Sequence, residues 1–150
     1  YSILKQNFTN PENIDQNNLI IFENNLCFET SDFKNNKFKK IYIVSNNNQN
    51  RCIKLSEKVL KFKSSLIRDQ EQRFKNQSIN CEIIDISEIK KIEKVVGLYP
   101  TIGENLDYLN SNAYKINFLH RELDQYSWQY CNKGFFNFKN YIPKIISTFN

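Results

Sequence analysis

Residues 18–27 read Asn-Leu-Ile-Ile-Phe-Glu-Asn-Asn-Leu-Cys, and their apolar run from Leu19 to Phe22 ends close to an Asn pair. The run is too short for a typical helix and contains β-branched residues, so it predicts a buried strand that ends in a tight turn. A second run, from Ile41 to Val44, ends in the same way at Ser-Asn-Asn-Asn. Two buried strands, each followed by a polar connection, indicate a parallel sheet with helices on its faces. We therefore expect Phe22 and Val44 to lie side by side.

The remaining sequence fits around these two strands. Strands are predicted at about 18–23, 39–45, 79–86, 95–99 and 114–119, and helices at about 53–76, 88–94, 105–112 and 141–148. Residues 1–17 are predicted to form an irregular N-terminal arm, and residues 24–38 a connection that packs back onto the sheet through Leu26, Phe28 and Phe33. The alternation predicts a single doubly wound α/β domain over residues 18–150, with a five-stranded parallel Rossmann-like sheet and an aromatic C-terminal tail.

Three local patterns make more detailed predictions. In the longest helix, Leu55, Val59, Phe62 and Leu66 recur at helical spacing and predict the apolar face, which Leu60, Ile67 and Phe74 widen. Ser87 is the predicted N-cap of the helix that follows the third strand. In the tail, Trp128, Phe135, Phe136 and Phe138 suit either base stacking or a lid on the core, and we favour the lid.

Composition and charge are ordinary for a soluble globular protein of 150 residues. The net charge of +5 is compatible with a nucleic acid, but the lysines are spread along the chain and are more typical of solvated faces, so nucleic-acid binding is a weakly supported alternative. The four cysteines have no C-x-x-C spacing, and a single His accompanies them, which disfavours zinc. They suit buried free thiols in the cytoplasm or another reducing compartment. No apolar stretch reaches the roughly 18 residues of a membrane span.

Polar residues follow the predicted strands at their carboxyl ends, where parallel α/β sheets bind ligands. The candidate ligand-binding residues are Glu23, Asn24, Asn25, Ser45, Asn46, Asn47, Thr101, Gly103, His120 and Arg121. The glycine-rich phosphate loops are absent, so the loop at 45–50 is either a side-chain amide site or, as we favour, a solvated turn. The carboxylate pairs Asp85 with Glu88 and Glu122 with Asp124 predict caps or surface charges. No catalytic set or metal site is predicted.

Several segments together resemble the DNA photolyase and cryptochrome family. Residues 21–27 resemble its first strand and turn, W-F-R-N-D-L-R; Phe22, Asn24 and Leu26 match, while Ile21, Glu23, Asn25 and Cys27 depart from it. Residues 40–45 and 58–74 resemble the second strand and first crossover helix. Residues 99–103 carry a P-x-x-G turn. Residues 128–139 resemble the signature W-P-H-A-x-K-G-F-F-x-F-K of short photolyase-related proteins, with Gln129, Tyr130 and Cys131 replacing Pro-His-Ala and with Ile142-Pro143 following.

The resemblance implies the N-terminal α/β domain of a photolyase, which in the family holds an antenna chromophore or packs on a helical domain that carries the flavin. This chain has no room for that domain, so we expect no flavin and no repair activity. We expect a non-catalytic photolyase-like module that binds a partner protein or a small ligand. The alternatives are a nucleotide- or chromophore-binding antenna or sensor protein, a nucleic-acid-associated protein, and, last, an enzyme acting through His120.

Overall fold

The computed structural model describes residues 9–149, which fall into two compact units. The first unit is Pro11–Leu119, and the second contains residues 9–10 and 120–149. The predicted N-terminal arm lies partly outside the described residues, since residues 1–8 are not described; residues 9–17 form no helix or strand.

The first unit is an α/β unit whose elements alternate along the chain. They are β1 (Asn18–Phe22), β2 (Lys40–Ser45), α1 (Glu57–Asn76), β3 (Cys81–Asp85), β4 (Val95–Leu98), α2 (Glu104–Ser111) and β5 (Asn117–Leu119), with short 3₁₀ helices at Phe28–Thr30 and Ile86–Lys91. The second unit contains α3 (Glu122–Trp128), a 3₁₀ helix (Cys131–Lys133), α4 (Phe135–Lys139) and α5 (Ile142–Phe149). The predicted strands and the terminal helix lie within a few residues of these bounds, but α3 and α4 were not predicted.

The five strands form one parallel sheet in the order β3-β2-β1-β4-β5. Phe22 pairs with Val44 across β1 and β2, as the two apolar runs predict. The predicted doubly wound, five-stranded, parallel Rossmann-like sheet is therefore confirmed.

Each face of the sheet has its own apolar core. Ile21 and Ile43 point to the face that α1 covers, where Ile67 and Phe74 pack with Phe28 and other buried residues. Ile20, Phe22 and Val44 point to the opposite face, which Ile86, Ile89 and Leu109 cover. The predicted docking of the 24–38 connection is confirmed, because Phe28 and Phe33 are buried and Leu26 packs against them.

Helix α1 buries only part of the predicted apolar face: Ile67 and Phe74 are buried as predicted, but the face centred on Val59, Phe62 and Leu66 is not. It begins at Glu57, with Ser56 as its N-cap, and its buried residues are Ile67, Gln70 and Phe74. Val59, Phe62 and Leu66 are instead exposed, by 39%, 64% and 40%. The reason is length: a 20-residue helix is about 30 Å long, whereas a six-residue strand spans only about 20 Å. The first turns of α1 therefore extend past the strands, so Val59 and Phe62 have no sheet to cover them. Leu66 is next to the buried Ile67 but points about 100° away from it around the helix, and so it is exposed as well.

Three further predictions are wrong. Asp85, not Ser87, caps the element after β3: its side chain accepts from the Ser87 amide at 3.0 Å, while Glu88 accepts from the Asp85 amide at 3.1 Å. Phe135 and Phe136 are 65% and 86% exposed, so they do not form a core lid. Cys52 and Cys131 are exposed rather than buried thiols.

Candidate functional site

The polar loops after β1, β2 and β4 meet at the carboxyl edge of the sheet. In the order β3-β2-β1-β4-β5, the chain moves from β1 to one side and later returns to the other side at β4. The crevice between the carboxyl ends of β1 and β4 is therefore the topological switch point, the usual ligand position in such sheets. Six predicted site residues, Glu23 to Asn25 and Ser45 to Asn47, follow or end β1 and β2, and Thr101 and Gly103 follow β4.

Side-chain amides fill this switch point. The Asn24 amide donates to the Pro100 carbonyl at 2.8 Å, and the Asn25 amide donates to the Tyr99 carbonyl at 3.1 Å. Asn105, on α2, donates to Asn24 Oδ1 at 3.0 Å and accepts from Asn46 Nδ2 at 3.0 Å. These bonds join the loops after β1, β2 and β4, so the protein's own amides occupy the crevice and fix its width.

A buried charge cluster lies beside the amides. Glu23, 7% exposed, pairs with Arg51 and with Lys63, whose Nζ lies 2.9 Å from Glu23 Oε1. The Arg51 guanidinium also pairs with Glu104, and its Nε donates to the Asn46 carbonyl at 2.9 Å. Two cations and two anions thus offset one another, as buried charges require. The Glu23 carboxylate also accepts from the Asn46 backbone amide at 3.3 Å, so its two oxygens are held by two cations and an amide.

An open cleft of about 410 Å³ adjoins this cluster, between the strand ends and the protruding first half of α1. The strand ends contribute Glu23, Ser45, Asn46 and Asn47, β3 contributes Ile83, and α1 contributes Leu60, Lys63, Ser64, Ile67 and Arg68. The lining combines apolar side chains from α1 and β3 with amides, hydroxyls and two cations. The volume is within the range of small-molecule sites.

Asn46, one of the residues that line this cleft, has a buried hydrogen-bond acceptor that is not used. Its side chain is 2% exposed, its Nδ2 is used by Asn105, and its Oδ1 accepts no hydrogen bond from any described residue. A buried acceptor left in this condition costs about 1–3 kcal/mol.

The loop after β2 is tied down on its outer side. Asp85 accepts from the Asn47 amide at 2.6 Å and from the Asn50 amide at 2.9 Å. Asn48 exchanges two hydrogen bonds of 2.9 Å with the backbone of Leu55. The loop was predicted as a solvated turn, but these hydrogen bonds hold it in place. It forms one wall of the cleft and fixes the positions of Asn46 and Asn47.

Thr101 and Gly103 belong to the turn that enters α2. Thr101 has a φ of 63° and donates its hydroxyl to the Pro100 carbonyl at 2.5 Å. Gly103 is the N-cap of α2 with a φ of 145°, a backbone position that requires glycine. Neither lines the cleft described above; their role is to place Glu104 and Asn105.

His120 and Arg121 belong to the second unit. The His120 backbone amide donates to Asn10 Oδ1 at 2.8 Å, its carbonyl accepts from the Asn10 amide at 2.9 Å, and its ring packs edge-on against Trp128. Burial lowers the pKa of His120 below its ordinary value of 6.5, against a smaller opposing effect of Asp124. Arg121 pairs with Asp124 at 2.8 Å. These contacts hold the backbone and the ring of His120 in place, as expected for a structural residue.

The carboxylate pairs act as expected for caps and surface charges: Asp85 with Glu88 forms a capping box, and Asp124 pairs with Arg121. Within residues 9–149, no three His, Cys, Asp or Glu side chains are grouped so as to hold a metal ion. Over the same residues, no helix combines the length and apolar character of a membrane span.

Sequence reasoning missed four residues of the charge and amide clusters, Arg51, Lys63, Glu104 and Asn105, and it did not assign the other α1 residues that line the cleft to a site. Arg51 directly follows the polar loop at 45–50, and Glu104 and Asn105 directly follow Gly103, so extending each predicted loop by a few residues would have included three of them. Lys63 lies in the interior of α1 and carries no local signal.

No protein-family model, curated protein or solved structure matches the chain.

Proposed function

We propose that this chain is a non-catalytic, photolyase-like α/β module that binds a small anionic ligand of the nucleotide type in the cleft between the strand ends and α1. The observation that carries the proposal is the cleft of about 410 Å³, which two cations line together with Asn46, a residue whose buried Oδ1 accepts no hydrogen bond from any described residue. The resemblance of residues 21–27 and 128–139 to photolyase segments supports the same class of protein.

Each part of such a ligand has a matching wall. Lys63 and Arg68 suit an anionic group, with the Ser64 hydroxyl beside them. Leu60, Ile67 and Ile83 offer an apolar surface to a flat ring. Hydrogen-bonding groups of the ligand would meet the polar residues Ser45, Asn46 and Asn47.

No chemical step is proposed, because Glu23, the acidic residue that lines the cleft, already pairs with other groups of the protein. Glu23 is held by two cations and a backbone amide. The other polar groups of the cleft are amides, hydroxyls and cations, which bind and orient a ligand.

Thermal unfolding of the full chain with adenosine monophosphate, flavin mononucleotide or inorganic phosphate tests this proposal. A ligand at a hundred times its Kd stabilises the folded state by about 2.7 kcal/mol. We expect one of the nucleotides to raise Tm and phosphate alone to do so weakly. No shift with any of the three probes would contradict the proposal.

Two pairs of variants locate the site. Ser64→Phe fills the cleft, whereas Ser65→Phe adds the same ring to the exposed neighbour that does not line it. Arg68→Gln removes a rim cation, and Lys61→Gln removes an exposed cation elsewhere on the helix. We expect the first member of each pair to abolish or weaken binding and the second to leave it intact; equal effects within a pair would place the ligand elsewhere.

A further inference from the structure

An exposed apolar seam runs along the outer side of α1. Val59, Phe62 and Leu66 are spaced by three and four residues, which places them in one line along the helix. Phe62 is 64% exposed, and Ile53, shortly before the helix, is 73% exposed. The seam is separate from the cleft, since none of these residues lines it.

The surroundings of the seam are basic. Residues 51–68 contain six Lys or Arg and a single acidic residue, Glu57. Arg51 and Lys63 are used by the buried cluster and Arg68 lines the cleft, so the exposed cations near the seam are Lys54, Lys58 and Lys61. The next acidic residue in the chain, Asp69, pairs with Arg73. An apolar line with cations on its flanks is complementary to a partner that carries an apolar line with acidic flanks.

We infer that this face of α1 docks an amphipathic helix of a partner protein, with apolar residues facing Val59, Phe62 and Leu66 and acidic residues facing the lysines. The spacing i, i+3, i+7 is the one by which helices pack side by side. The partner helix would be held by apolar burial at the centre and by charge pairs at the edges.

The geometry favours a partner helix over two other possible occupants of the seam, a lipid surface and a second copy of the chain. Val59 and Leu66 are only 39% and 40% exposed, so the narrow ridge of a helix reaches them better than a flat lipid surface does. The line from residue 59 to residue 66 is about 10 Å long, roughly two helical turns. A second copy of the chain would bring the same cations to the seam, and like charges across an interface oppose association.

Binding of designed peptides to the full chain tests this inference. One labelled peptide is an amphipathic helix with Leu on one line and Glu on both flanks; a second has the same Leu line with Lys flanks. We expect fluorescence anisotropy to detect the acidic peptide and to show at least a roughly tenfold preference, about 1.4 kcal/mol, over the basic one. Equal binding of both peptides, or of neither, would overturn the inference.

Two substitutions and two controls link the binding to the seam. Phe62→Ser and Lys58→Glu should each weaken the acidic peptide, and Lys58→Glu should strengthen the basic one. Ile146→Ser and Lys39→Glu change exposed residues of the same types outside α1 and should leave binding unchanged. An effect of the controls as large as that of the seam variants would refute the assignment.

The alternative occupants are measured on the same samples. Flotation with vesicles of mixed phosphatidylcholine and phosphatidylserine detects a lipid surface, and sedimentation equilibrium detects a second copy. The proposal of a partner helix would be overturned if the acidic peptide did not bind and the chain instead bound vesicles or self-associated in a way that depends on Phe62.

Discussion

Arg51 is the residue that contributes most to holding the carboxyl edge together. It follows a polar loop, and its partners Glu23 and Glu104 lie 28 and 53 positions away in the chain. Its position directly after the polar loop could have marked it as a site candidate, but its two partners could not be found from local sequence patterns. Its guanidinium fixes the positions of Glu23 and Asn46, so the shape of the cleft depends on a residue that does not line it.

Replacing Arg51 with Met tests this dependence. Breaking a buried pair by removing one partner costs about 3–5 kcal/mol, because the remaining charge stays buried. We expect Arg51→Met to lower the free energy of unfolding by about that amount in urea titrations. Lys40→Met breaks the more exposed pair with Glu82 and should cost about 1 kcal/mol or less. Similar losses for the two variants would contradict the buried cluster.

His120 makes stability depend on pH. Its pKa is lowered by burial, so below its ordinary value of 6.5 the unfolded chain binds a proton that the folded chain resists. The free energy of unfolding should therefore begin to fall as pH drops through 6.5, the ordinary pKa, and should continue to fall until the pH reaches the lowered pKa of the folded state. His120 is the chain's only histidine, so His120→Gln should flatten the profile. A variant that retains the full slope would show that another group titrates.

At the scale of elements, periodicity predicted α1 but not the face that it buries. The stripe at 59, 62 and 66 and the buried residues at 67, 70 and 74 both have helical spacing, and sequence alone does not say which one meets the sheet. The strand lengths help to determine which stripe of α1 is buried, because short strands cover only part of a long helix. The N-cap after β3 was missed for a similar reason: Asp85 ends a strand and caps the next element at the same time.

Gly97 in β4 shows how closely the sheet and its neighbours pack. A Cβ at this position would lie 2.9 Å from Ile20 Cγ1 and 3.2 Å from Ile116 Cγ2. Overpacking of this kind costs about 1–3 kcal/mol, so we expect Gly97→Ala to lower the free energy of unfolding within that range. In an Ile20→Ala background the colliding atom is absent, and the penalty should shrink. A penalty unchanged by Ile20→Ala would contradict the contact.

At the scale of the whole molecule, the alternation of apolar runs and polar connections was sufficient to predict the sheet. The strand order 3-2-1-4-5 then brings the loops at 23–25, 46–50 and 99–103 to one edge. The site was predicted in its strand-end half and missed in its helical half, because Leu60, Ser64 and Arg68 have neighbours in space that are distant in sequence. His120 and Arg121 lie in the other compact unit and do not line the cleft.

The most direct test of the binding proposal is an amide NMR titration of the isotope-labelled full chain with the nucleotide that raises Tm. We expect shift changes to concentrate at residues 45–47 and 60–68, the two walls of the cleft. Shift changes that centre elsewhere in the chain, or that do not saturate, would contradict a ligand site at the carboxyl edge of the sheet.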